Sequence, residues 1–121
     1  MIRLSLTTHK LQAALAGAVA TTQPRAYVTW TDTNNEGRQT PGGTQMTALN
    51  SATDVDICAA PQQNYVRNID HVSITNIDTA AIVLTVKIDV SGTDTRIDTQ
   101  TLAVGETWRY ESGAGCQVTG P

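Results

Sequence analysis

Phenylalanine is absent from the chain, and aromatic residues of every kind make up only 4% of its 121 residues. A core built with so few rings must be filled by valine, isoleucine, leucine and alanine. Charge is also scarce, at 16%, with eight Lys and Arg against eleven Asp and Glu and a formal net charge of −3. That balance removes the usual electrostatic means of gripping a phosphate backbone, so no nucleic-acid partner is expected. Long apolar runs are missing too. The stretch Leu11 to Ala20 is interrupted by Gln12 and Gly17 and is about half the length a membrane span needs, so no membrane segment is expected. The start Met1 to Lys10 lacks the sequence of charge, apolar run and small-residue cleavage site that a signal peptide requires. There are only two cysteines, Cys58 and Cys116, and the expectation is two free thiols, because cysteine often serves as a small buried hydrophobe.

What is present points to strands. Threonine is the commonest residue and hydrophobic residues reach 40%, a mixture in which β-branched side chains suit a pleated surface. The mass of 12.9 kDa fits a single domain, and surface scaling leaves roughly 6,300 Å² exposed of roughly 18,700 Å² in the extended chain. Ile2, Leu4 and Leu6 alternate with Arg3 and Ser5 in a first strand. His9 to Val19 carries apolar residues at helical spacing but includes Gly17 and is barely three turns long, and it is read as extended. Arg25 to Thr31 alternates again after Pro24, with Val28 and Trp30 on one face. Asp32 to Gly43 gathers Asp, Asn, Glu, Pro and Gly and is read as a long mobile loop.

Further along, Thr44 to Leu49 is a weak strand candidate, and Thr53 to Cys58 places Val55 and Ile57 inward. Tyr65 to Ile77 changes the parity of its apolar residues twice, which bulges near Asp70 and Asn76 would reconcile with a strand. Ile82 to Val90 shows the clearest alternation, and Ser91 to Asp94 turns it into an antiparallel return over Thr95 to Val104. Short strands at Thr107 to Tyr110 and Gln117 to Thr119 complete the chain. The spacing of turn signals predicts an all-β fold, a single antiparallel β-sandwich or jelly roll over 1–121, with an N-terminal arm at 1–10.

Catalytic and metal-binding constellations are thin. His71 lies next to Asp70 within a strand, where neighbours point to opposite faces, so Asp70 would orient it only across a bulge. No Ser occupies a Gly-x-Ser-x-Gly elbow, no Cys-x-x-Cys pair or Walker loop occurs, and Asp54, Asp56, Asp89, Asp94 and Asp98 lack the spacing of a calcium loop. Neither enzyme activity nor a cofactor is expected. Trp108 and Tyr110 share one face of a short strand. They serve either as core or as a contact surface, and an exposed pair would stack on sugar rings.

Three stretches carry a resemblance: Thr7 to Val19, Val55 to Pro61, and Asn76-Ile77-Asp78-Thr79-Ala80-Ala81 running through Val86, the last continuing to Leu102-Ala103-Val104-Gly105-Glu106-Thr107. Together they resemble small virion structural proteins encoded among the morphogenesis genes of tailed bacteriophages. The resemblance implies a β-sandwich in the virion, assembled in the host cytoplasm as a homo-oligomer, a dimer or trimer. Its role would be capsid decoration (cement), binding the major capsid protein and stabilising the shell. The alternative is a tail or fibre accessory, with glycan binding a further option. Expected contact surfaces are the Met1 to Leu6 strand with Ile2, Leu4 and Leu6, the Asn34 to Gly43 loop with Arg38, and the Trp108 to Tyr110 strand, while the hairpin that carries the motif would be scaffold.

Overall fold

The computed structural model describes residues 2–121, apart from the side chain of Pro41. Ten strands follow in order: β1 (Arg3–Leu4), β2 (His9–Leu15), β3 (Arg25–Asn34), β4 (Gln39–Ala48), β5 (Val55–Cys58), β6 (Tyr65–Thr75), β7 (Ile82–Val90), β8 (Thr93–Leu102), β9 (Thr107–Glu111) and β10 (Gly115–Thr119). They form two antiparallel sheets. One runs β10-β9-β6-β3-β4 with β1 also on β6, and the other runs β5-β2-β7-β8. The sheets pack face to face as a β-sandwich. The alternation seen in the sequence explains the packing, because Ala26 and Val28 of β3, Ile69, Val72 and Ile74 of β6, and Leu84 and Val86 of β7 all turn into one shared core. The exposed area of 6313 Å² agrees with the roughly 6,300 Å² that scaling gives for a folded monomer of this mass.

β6 organises the first sheet. One of its edges pairs with β3 throughout, while the other pairs with β1 at Arg67 and Asn68 and with β9 from His71 to Thr75. The handover falls at Asp70. There the register against β3 slips, with Thr29 opposite His71 and Trp30 opposite Ile69. The bulge expected at Asp70 is therefore present. The bulge expected near Asn76 is not, because β6 ends at Thr75 and Asn76 begins a turn.

The expected loop over Asp32 to Gly43 is a correction. β3 and β4 extend into it as a hairpin, leaving only Asn35 to Arg38 as the turn. The Asn34 side chain closes that turn by accepting from the backbone N–H groups of Glu36 (3.0 Å) and Arg38 (2.9 Å). Of the three glycines there, Gly37 does lie in the turn at φ 82°, but Gly42 and Gly43 lie in β4 against Trp30. A Cβ on Gly43 would lie 2.7 Å from the Trp30 indole, so β4 crosses this ring only with glycine at that position.

The expected arm at 1–10 is also corrected. Ile2 and Leu4 are buried, the Ile2 N–H donates to the Tyr110 hydroxyl at 2.6 Å, and His9 and Lys10 belong to β2. Side chains close both flanks of the sandwich. The Gln45 amide donates to the Asp56 carbonyl (2.9 Å) and accepts from the Ala59 N–H (3.2 Å), which ties β4 to the β5 side. On the opposite flank the Trp108 indole donates to Asp98 at 2.8 Å, joining β9 to β8.

Candidate functional site

Four of the six expected contact residues belong to the core. Ile2, Leu4, Trp108 and Tyr110 are 6%, 0%, 1% and 3% exposed. β1 lies on β6, and β9 turns its two rings inward between the sheets, so the apolar faces that looked available are already covered. The Trp108–Tyr110 platform for sugar stacking is therefore corrected to core packing. Leu6 is 56% exposed and Arg38 is exposed on the β3–β4 turn. Met1, the first residue of the expected contact strand, lies outside the described residues.

The polar side chains weighed for chemistry are occupied structurally. At the bulge, Asp70 accepts the Thr31 hydroxyl at 2.7 Å, while Nδ1 of His71 faces Glu111 at 3.7 Å. Lys87 lies 2.8 Å from Asp54 and 3.6 Å from Asp94, and Asp54 foremost holds its ammonium above the ordinary lysine range. Asp56 meets Lys10 and Gln12, and Asp89 accepts the Gly92 N–H of the β7–β8 turn. Among the described residues no cluster of three His, Cys, Asp or Glu is arranged to hold a metal ion.

Arg67 is a buried cation. It meets Asp32 through Nε (2.9 Å) and Nη2 (3.1 Å), donates from Nη1 to the Ala59 carbonyl (2.8 Å), and lies 4.4 Å from the centre of the Trp30 ring. Burial works against its charge, but the Asp32 hydrogen bonds prevail and its pKa is raised. Cys58 is buried close by, and desolvation pushes its thiol up to about 11 against the opposing pull of Arg67. Cys116 is exposed, and both thiols are free.

The stretches Asn76 to Ala81 and Leu102 to Thr107 meet at one end of the sandwich. The Asn76 N–H donates to the Glu106 carbonyl and the Asn76 carbonyl accepts from the Gly105 N–H, each at 2.9 Å. The buried Asn76 side chain donates to the carbonyls of Ala80 and Leu102, both at 3.0 Å, and accepts from the Asp78 N–H at 3.0 Å. Asp78, 2% exposed, then holds the Ala20–Thr22 segment. Its carboxylate accepts N–H groups from Ala20, Thr21, Thr22 and Thr79 at 2.8 to 3.1 Å. The Ala20 bond leads these in keeping its pKa far below the usual carboxylate range, against the opposing effect of burial. Glu106 closes the second turn by accepting the Ala103 N–H at 2.7 Å.

This frame holds two apolar side chains out to solvent, Ile77 and Val104, each 51% exposed. The peptide units beside them are the ones joined by the Gly105–Asn76 hydrogen bond, so both stand at the same end of the molecule. Sequence reasoning did not select them. The available signal was an isoleucine and a valine placed inside otherwise polar or small-residue turns. No family model, curated protein or solved structure matches the chain.

Proposed function

We propose that this chain is a virion structural protein of a tailed bacteriophage, a capsid decoration protein that binds the major capsid protein shell as a homo-oligomer. The observation that supports this reading most is the meeting of the two motif halves that resemble virion proteins. Asn76, Asp78, Gly105 and Glu106 spend their hydrogen bonds on each other and on neighbouring backbone. The motif is thus a rigid frame, and what it presents outward is the Ile77–Val104 pair. Apolar side chains held on fixed turns lose little entropy when covered, so they suit a contact repeated at many sites on a shell.

In this reading Ile77 and Val104 seat against capsid subunits, and self-association adds contacts that sum through high effective concentration. Densitometry of purified virions tests the assignment. A decoration protein is present in hundreds of copies per particle. A few or a few dozen copies would place it in the tail instead, and absence from mature particles would end both assignments.

A further inference from the structure

The far end of β3 from Ile77 carries a cleft of about 370 Å³, formed where the β1–β2, β3–β4 and β5–β6 connections converge. Its lining among the described residues includes Asn35, Gln62, Gln63 and Asn64, together with Tyr65 and Leu6, and no Asp, Glu, Lys or Arg. Among the described residues these four carboxamides form no side-chain hydrogen bond to the protein, and all four residues are exposed. A side-chain amide offers a donor and an acceptor a short distance apart, which matches the paired donor and acceptor character of neighbouring hydroxyls on a sugar ring. Tyr65, half-buried at the start of β6, and Leu6 supply apolar surface for the ring's C–H face.

The turns that present these groups are fixed before any ligand arrives. The Tyr65 N–H donates to the Gln62 carbonyl at 3.1 Å, and Asn64 sits in the left-handed region at φ 70°, which asparagine tolerates better than most residues. Across the cleft, the Asn34 side chain braces the β3–β4 turn that carries Asn35. The backbone that carries the carboxamides is fixed in this way, so binding has only their side-chain rotamers left to order. We infer that this cleft is a binding site for a neutral carbohydrate, recognised by the Gln62, Gln63 and Asn64 carboxamides with the ring seated against Tyr65. The site does not depend on the shell contact, because the two lie at opposite ends of β3.

The test is an NMR titration of the ¹⁵N-labelled full chain with methyl β-glucoside, methyl β-galactoside and N-acetylglucosamine in turn, with N-acetylneuraminate as an anionic comparison. The side-chain NH₂ signals of Gln62, Gln63 and Asn64 are expected to shift saturably with at least one neutral sugar, in the millimolar range normal for one ring. N-acetylneuraminate should bind no more tightly, since no Lys or Arg is among the described residues of the lining. Asn64→Gly keeps the left-handed backbone and removes the carboxamide, and combined with Gln63→Ala it should weaken binding at least tenfold while the melting temperature holds. Unshifted NH₂ signals with all three neutral sugars, or equal affinity in the double variant, would overturn the inference.

Discussion

Asn76 and Glu106 are joined through their backbones, the Asn76 N–H donating to the Glu106 carbonyl at 2.9 Å across 30 residues of chain. Everything between them, the β7–β8 hairpin, is closed by this bond and by the Asn76 side chain.

Asn76→Ala would leave the Leu102 carbonyl and the Asp78 N–H without their partner in a buried setting. The expected loss is about 3 kcal/mol, from the usual cost of unpaired buried polar groups. Asn76→Asp should be worse, because a carboxylate would face the carbonyls of Ala80 and Leu102. Urea unfolding of the three proteins measures both.

Asp78 makes stability depend on acid. Its folded-state pKa is depressed below the ordinary carboxylate value, so it contributes stability above that value, and the contribution fades as the pH falls below it. Melting curves from neutral to strongly acid pH should show the wild type losing stability over that interval. Asp78→Asn should melt several degrees lower at neutral pH and show a flatter acid limb.

Arg67 and Asp32 form a bidentate pair whose side chains are 11% and 17% exposed. Removing one partner from such a pair strands the other, so Asp32→Asn and Arg67→Ala should each cost about 3 kcal/mol. Arg67→Lys keeps the charge but loses the fork and the stack on Trp30, and it should not restore full stability. Thermal melts of the four proteins decide this.

The thiols should separate cleanly. Titration of the native chain with an aromatic disulfide reagent should modify Cys116 alone, and faster at higher pH, since burial raises its pKa also. Cys58 should react only after denaturation, because it is buried and its pKa is about 11. Two fast thiols in the native chain would contradict the packing around Arg67.

Much of the fold was legible from alternation. β7 and its return strand were legible, but the turn is shorter than the expected Ser91 to Asp94: only Ser91 at φ 54° and Gly92 at φ 93° form it, as a tight type I′ hairpin demands, and β8 runs from Thr93 to Leu102. The Asp70 bulge was legible because a strand keeps its apolar residues on one parity unless an extra residue is inserted. The Asp32 to Gly43 segment misled because composition cannot separate a glycine that permits a turn from one that lets a strand pass over an indole, as Gly43 does. Trp108 and Tyr110 misled for a related reason. Period-two spacing assigns two rings to one face but does not say which face meets the other sheet, and only the pairing of β9 with β6 puts them inside. The exposed Ile77 and Val104 and the amide-lined cleft arise from turns brought together across the fold, which no local pattern encodes.

The proposed shell binding through the Ile77–Val104 pair can be tested by sedimenting the purified chain with assembled shells of the major capsid protein of the phage proposed to carry its gene, comparing wild type with the Ile77→Asp, Val104→Asp double variant. Saturable pelleting of the wild-type chain is expected, with failure of the variant to pellet and a variant melting temperature near that of wild type, because both positions are half in solvent. A wild-type chain that stays in the supernatant at every shell concentration would contradict the proposed role.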